Sequence, residues 1–428
     1  MSADVPAGTD TIEVLPPPPV AGARRAVARA AAVVSAATLA SRVLGFLRDL
    51  LIARAFGAGV ATDAFFVAFR LPNLLRRLVA EGAVSSAFIP VFTEHVTTRS
   101  RADTLRMLRA VSGAMLLLLG TLTVLGVLGA PWIVRIMAPG FFVNPAVGEL
   151  TVRMARLMFP YLFFVGLAAL AMGVLNAHRH FLLPALSPVA LNVGIIIGAL
   201  VLAPRLAEPV TGLALGVLLG GAAQLLIQVP WLVRRGLLAP PRIALSHPAV
   251  RRTVALMAPV VVGQSATHIG TVVNTIIASF LAKGSVSYLY YADRLIEFPL
   301  GVFGVAIATA VLPTLSEQAA RRDKQALCET LSFSLRLATF VSVPAAVGLF
   351  VLAEPIVRVL YERGHFGPAE TAGTAAAVTM YALGIVGSAT AKILAQAFFA
   401  LGDTRTPVKV SIGAMALNCA MADRKSVV

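Results

Sequence analysis

Residues 41–49 read SRVLGFLRD, with AAVVSAATLA before them and LLIARAFG after. Arg42, Arg48 and Asp49 therefore stand inside a stretch otherwise suited to lipid. On the insertion scale each such charge costs about 2.5–3.5 kcal/mol at a helix centre, while a leucine returns only about 0.5. Three charges amount to roughly 8–10 kcal/mol against insertion. A helix carrying that burden faces a watery cavity or an anionic ligand rather than hydrocarbon. The seven-residue spacing predicts Arg42 and Asp49 on one helical face, which Arg48 widens. A second charged stretch follows, with Asp63, Arg70 and Arg77 at heptad spacing, Arg76 beside them and Glu81 four residues beyond Arg77. Pro72 lacks a backbone donor and should kink this helix just below Arg70. The second half of the chain contributes YYADRLIEF, with Asp293, Arg294 and Glu297.

Structural ion pairs are the plain reading of any one of these residues. For the set, the count argues against it. Arg42, Arg48, Arg70, Arg76, Arg77 and Arg294 outnumber Asp49, Asp63, Glu81, Asp293 and Glu297. Surplus cations in a cavity suit a multiply charged anion, and arginine offers a planar fork matched to phosphate oxygens. A diphosphate is the natural ligand; a polyanionic sugar fits nearly as well. Gly212, Gly216 and Gly220 read as close helix packing. His268 and Asn274 read as a satisfied polar contact. No Walker loop, zinc spacing or nucleophile motif is present, so the sequence offers no basis for an enzyme, an ATP-driven pump, a metal site or a cofactor.

The elements that must hold these residues are membrane helices. Of 428 residues, 58% are hydrophobic and 13% charged, against about 25% charged in soluble domains. Eleven apolar segments stand near 30–57, 62–95, 107–131, 149–176, 183–204, 210–233, 253–281, 286–317, 326–352, 370–400 and 406–420. The net charge of +16 does not point to nucleic acid, because the basic residues gather in alternate short links. Eighteen Lys and Arg fall on the side of the N-terminus and six on the other, which predicts a cytoplasmic N-terminus. Residues 1–28, with PPPP at 16–19, are expected to be a disordered tail. Cys328 and Cys419 form no disulfide framework.

An internal repeat organises the rest. AFRL at 68–71 recurs as ADRL at 292–295, FIPVFTE at 88–94 as VLPTLSE at 311–317, and IVR at 133–135 as IVR at 356–358. Pro184 matches Pro407, and ALN at 190–192 matches ALN at 416–418. The offset stays close to 223 residues. A unit of six helices, an even number, gives both copies one orientation, an all-α transporter architecture with sites between two lobes. Arg294 is the repeat mate of Arg70, so both are expected at one central cavity. The lobes are read as 29–250 and 251–419.

With these motifs in view, residues 34–418 resemble the MurJ (MviN) family of lipid II flippases, within the multidrug/oligosaccharidyl-lipid/polysaccharide exporter superfamily. The most specific stretches are SRVLGFLRD, FGAGVATDAFFVAFRLPNLLRRLVAEGAVSSAFIPVFTE and GSVSYLYYADRLIEFPLGVFGVAIATAVLP. The resemblance implies two six-helix lobes around a cationic cavity, followed by two helices forming a groove for a lipid tail. It implies functional arginines at Arg42, Arg48, Arg76 and Arg294, with acidic positions at Asp49, Asp63 and Glu81. The implied substrate is lipid II, the undecaprenyl-diphosphate-linked peptidoglycan precursor, moved across the bacterial cytoplasmic membrane by alternating access. The alternative is a polysaccharide or drug exporter of the same superfamily, although a cation-coupled drug exporter would want an acidic, aromatic cavity. The repeat also predicts apolar residues after Asn418, where the chain instead reads AMADRKSVV at 420–428. A truncated or frame-shifted chain with an incomplete second lobe is the expectation there.

Overall fold

The computed structural model describes residues 20–238 and 240–425. Among them every regular element is a helix. In chain order these are α1 (Val20–Phe56), α2 (Val60–Arg76), α3 (Ile89–Thr98), α4 (Arg101–Met137), α5 (Pro145–Met158), α6 (Pro160–Ala177), α7 (Leu182–Ile197) and α8 (Val210–Leu226). There follow α9 (Val229–Arg234), α10 (Pro248–Ser279), α11 (Ser285–Pro299), α12 (Ala306–Ala320), α13 (Lys324–Val351), α14 (Ala353–Tyr361), α15 (Pro368–Ala400) and α16 (Arg405–Lys425). Widened π-helical turns at Arg77–Phe88 and Leu300–Val305 join α2 to α3 and α11 to α12. All eleven apolar segments are helical, and seven helices among the described residues are long and apolar enough to cross a bilayer.

The repeat is written into the helix boundaries. α4 and α13 begin 223 residues apart, as do α5 and α15, α7 and α16, and the π-helical segments that start at Arg77 and Leu300. Local chemistry repeats with them. Ser100 caps α4 by accepting from the Asp103 N–H, and Asp323 caps α13 by accepting from the Ala326 N–H. Both oxygens satisfy a donor that the first helical turn leaves open. α5 and α15 each open with proline, whose missing N–H costs nothing at that position. The copies differ in where their helices break: α4 continues to Met137 whereas its counterpart breaks at Leu352 between α13 and α14, and α5 and α6 part at Phe159 whereas α15 runs unbroken from Pro368 to Ala400.

Pro72 lies within α2, and α-helical geometry gives way further on, from Arg77. One expectation changes. The helix α1 begins at Val20, so the end of the stretch read as a disordered tail is helical. Residues 1–19 and 426–428 lie outside the described residues, as do the side chains of Glu81, Cys419 and residues 420–425.

Contacts divide the chain into two compact units, Met1–Leu51 with Val67–Val272, and Ile52–Phe66 with Val273–Val428. In the first, α4 packs on α5 and α6, and α7 lies along α8. A side chain at Gly216 would press on the backbone of Ile195 and Gly198, and one at Gly220 on that of Leu191. The glycine pattern is thus a packing surface that lets two backbones meet. In the second unit α15 is the centre, packed by α11, α12, α13 and α14. Ile393 and Ala397 of α15 sit in apolar clusters with Ala308, Leu315, Leu327 and Ala338.

Candidate functional site

In the first unit Arg48 and Asp49 are sequence neighbours on α1 and both buried, at 7% and 0% exposure. Adjacent helical residues do not normally face each other. Here the guanidinium folds back so that Nε and Nη2 donate to Asp49 Oδ1 at 2.9 and 2.7 Å. Its Nη1 donates to Asn192 Oδ1 on α7 at 2.9 Å, and Asn192 Nδ2 donates to the Ser41 carbonyl at 3.0 Å. The network ties α1 to α7 with charge-assisted bonds. Arg42, a heptad before Asp49, is exposed. The expected single polar face is therefore divided into a buried, bonded level at Arg48 and Asp49 and an exposed one at Arg42.

Further along, Arg70 and Arg76 are half-buried, and Arg76 Nε donates to Asn73 Oδ1 at 3.0 Å. Arg77 is exposed and makes no ion pair with a described residue. It opens the π-helical turn, a geometry that recurs at functional positions in helices.

The second unit holds Asp63 and Arg294 in contrasting ways. Asp63 is 3% exposed and faces the start of α11. Its Oδ2 accepts from the Gly284 N–H at 2.7 Å, and its Oδ1 from the Ser287 N–H at 2.8 Å and the Ser287 hydroxyl at 2.6 Å. Gly284, at φ 90°, caps α11 with no side-chain oxygen of its own. Asp63 supplies the missing cap, placing a carboxylate at the positive end of a helix. Arg294 lies 5.2 Å over the Tyr290 ring, donates to the Tyr290 hydroxyl at 3.2 Å and pairs with Glu297 at 2.8 Å. Tyr290 is stacked in turn on Phe66 at 3.9 Å. The guanidinium is thus oriented from below while about a third of the side chain stays exposed. Asp293 is exposed.

Comparison with known proteins decides the family. The sequence pattern described as "Lipid II flippase MurJ" matches residues 52–427. A "Lipid II flippase MurJ" of Burkholderia cenocepacia is 42% identical over 391 residues, covering 90% of this chain and 76% of its relative. A "Probable lipid II flippase MurJ" of Vibrio cholerae serotype O1 is 40% identical over 393 residues, covering 90% and 75%. The chain belongs to the MurJ lipid II flippase family. A solved "Lipid II flippase MurJ, inward closed conformation" superposes with a TM-score of 0.74 at 29% identity, covering 88% of this chain and 77% of that one. An inward-facing multidrug resistance MATE family transporter of the MOP superfamily superposes at 0.68 with 15% identity, a likeness of fold alone. As a MurJ family member the chain is a multi-pass protein of the inner membrane, and a transporter rather than an enzyme.

Sequence reasoning about this MurJ family member missed three partners. Asn192 was visible only as a repeat marker in ALN, yet it is the second acceptor for Arg48. Ser287 and Gly284 carried no charge to draw notice, although GSVS before an apolar run is itself a helix-start signal.

Proposed function

We propose that this chain moves lipid II across the bacterial cytoplasmic membrane by alternating access, with its intramembrane arginines acting on the substrate diphosphate. The observation that carries the reading is the family match over residues 52–427. Arg42, Arg76, Arg77 and Arg294 present guanidinium groups that are exposed or half-buried, in a membrane protein where charge at depth is costly. Arg294 supports it further, because Tyr290 and Glu297 fix its plane. Less rotamer freedom is then lost when two parallel N–H groups meet a phosphate. Arg48 with Asp49, Arg70, Glu81, Asp293 and Glu297 set the field around that binding event. The buried Asp63 acts at one remove, by holding the start of the helix that carries Arg294.

Bound diphosphate offsets repulsion among the arginines and so favours closure around the headgroup, while the polyprenyl tail stays in lipid. Outward opening then draws on the membrane potential, at about 2.3 kcal/mol per charge per 100 mV, or on a counter-ion. The N-terminus is cytoplasmic in this scheme. Controlled depletion of the protein in its host tests the substrate. Lipid II should accumulate without reaching the outer leaflet, and accumulation of a different lipid-linked precursor would overturn the assignment.

A further inference from the structure

The surface of α4 records where hydrocarbon begins and ends. Large apolar side chains are exposed from Leu117 to Ile136, through Val124, Leu128 and Trp132. At 1.5 Å per residue that band is about 28 Å tall, close to the ~30 Å of a bilayer core. Trp132 stands near its far edge, where indole rings gather. Between Arg101 and Leu116 the exposed residues are Ala102, Arg106 and Arg109, so the start of α4 stands clear of hydrocarbon.

A strap of chain crosses α4 just below this band. In the segment 240–247, which leads into α10, the Arg242 N–H donates to the Arg109 carbonyl at 2.9 Å. A side chain at Gly113 would collide with the Arg242 carbonyl, so the strap seats only on glycine. Gly113 lies one turn before Leu117 on the same face, about 6 Å away, which puts the strap in the headgroup layer. Arg109 and Arg242 are both exposed, and neither side chain has a hydrogen bond or ion pair with a described residue. The backbone bond between them holds two like charges side by side. The acids of α3 and α4 do not relieve them, because Glu94 pairs with Arg252 and Asp103 with Arg106. Next to Arg242 in the strap, Ile243 and Leu245 are 68% and 52% exposed. Two unpaired guanidiniums beside bare apolar side chains, at the depth of lipid phosphates, suit an anion that carries its own acyl chains.

We infer that α4 and this strap bind an anionic phospholipid, with its phosphate between Arg109 and Arg242 and an acyl chain against Ile243, Leu245 and Leu117. The site is separate from the arginines assigned to the substrate, which lie on α1, on α2 with its π-helical turn, and on α11. The full chain carrying Cys328→Ser, Cys419→Ser and Ser246→Cys, the last at an exposed strap position, is labelled with an environment-sensitive fluorophore and reconstituted in phosphatidylcholine vesicles. Phosphatidylglycerol brominated near the top of its chains is titrated in, against brominated phosphatidylcholine. Half-maximal quenching should come at roughly tenfold lower mole fraction of phosphatidylglycerol. Arg109→Gln and Arg242→Gln should each leave roughly a threefold preference, and the double variant none. Gly113→Ala keeps both charges but parts the strap from α4, and should weaken the preference as far as losing one arginine does. Arg99→Gln, before the start of α4 and farther from the bilayer, should leave it in place. Equal quenching by both lipids in the parent chain would overturn the site, as would a preference that survives the double variant. A loss with Arg99→Gln as large as with Arg242→Gln would overturn it in favour of general surface charge. Displacement of phosphatidylglycerol by inorganic phosphate would make this a soluble-anion site, and displacement by a lower concentration of a polyprenyl diphosphate would give it to the carrier lipid; either result overturns the assignment.

Discussion

Arg48 and Arg294 bring the same charge into the membrane, but their surroundings set different consequences for removing it. Arg48→Ala takes the guanidinium away from the fully buried Asp49 carboxylate and from Asn192 Oδ1. Breaking a buried pair in this way costs about 3–5 kcal/mol, so the expected result is a fall in the amount of folded protein in membrane fractions. Adding Asp49→Ala should recover part of it. Arg294→Ala leaves Glu297 half-exposed to find solvent or lipid headgroups. Its expected result is a normal membrane level with loss of complementation, and Arg294→Lys should fall between because it keeps charge without the fork. If Arg294→Ala vanished from the membrane instead, the residue would be a packing ion pair. Asp63→Asn removes one of the two oxygens that cap α11 and turns an amide toward the Gly284 N–H. A loss of about 1.5–3 kcal/mol, the worth of hydrogen bonds to a charged group, should appear as a lowered Tm. The arginines were legible in the sequence because charge inside an apolar run is conspicuous. Their partners were not, since Asn192 and Ser287 are brought up by helices 144 and 224 residues away.

Elements carry a pH dependence that no charged motif announces. At the end of α6, His178 Nδ1 lies 2.9 Å from the Val174 carbonyl, which makes it the donor and leaves buried Nε2 unprotonated and without a partner among the described residues. His180 stacks on Trp231 at 5.3 Å, and Arg235 lies over the same indole at 5.5 Å. Burial first, and then Arg235, pulls the pKa of both histidines below the ordinary imidazole value; the Val174 bond opposes this at His178. A histidine with a depressed folded-state pKa binds protons more readily when unfolded, so stability is full above about pH 6.5 and falls as pH drops below it. Thermal unfolding of the purified chain should show Tm falling between pH 7 and 5, and His178→Gln should flatten that slope. An unchanged slope in His178→Gln would show that other groups titrate. The glycine surface makes a second element-scale prediction. Gly216→Val forces methyl groups against Ile195 and Gly198; overpacking of about 1–3 kcal/mol should reduce folded yield, while Gly120→Val, where an added side chain meets nothing, should not. Helix existence and the glycine surface were readable from periodicity and spacing. The π-helical turns were not, because they come from backbone slippage that repeats in two unlike sequences, RLVAEGAVSSAF and LGVFGV.

At the scale of the whole molecule, the repeat and the distribution of charge make one joint statement about sidedness. Matching helix starts 223 residues apart make each loop and its mate share a side, provided that the repeated unit contains an even number of crossings. Arg99 and Arg322 are such mates, and both lie among the basic links; Gly59 and Ala282 are mates at the opposite helix ends. The basic ends are interlocked in the first unit, where Arg252 pairs with Glu94 at 2.8 Å and Arg101 reaches the Arg235 carbonyl at 3.3 Å. Eighteen basic residues on that side against six on the other are the ground for the proposed orientation, in which the Arg99 and Arg322 loops face the cytoplasm. Single cysteines placed at these four positions, in a chain carrying Cys328→Ser and Cys419→Ser, test it directly. Arg99, Arg322 and Ala282 are exposed, and a side chain at Gly59 meets nothing within 4 Å, so all four tolerate the change. In spheroplasts, a membrane-impermeant maleimide should label Gly59→Cys and Ala282→Cys at once, and Arg99→Cys and Arg322→Cys only after the membrane is opened. The reverse pattern would invert the protein and place the N-terminus outside. Mates that label differently from each other would be more damaging, because they would break the parallel repeat from which the shared orientation of the two copies is argued.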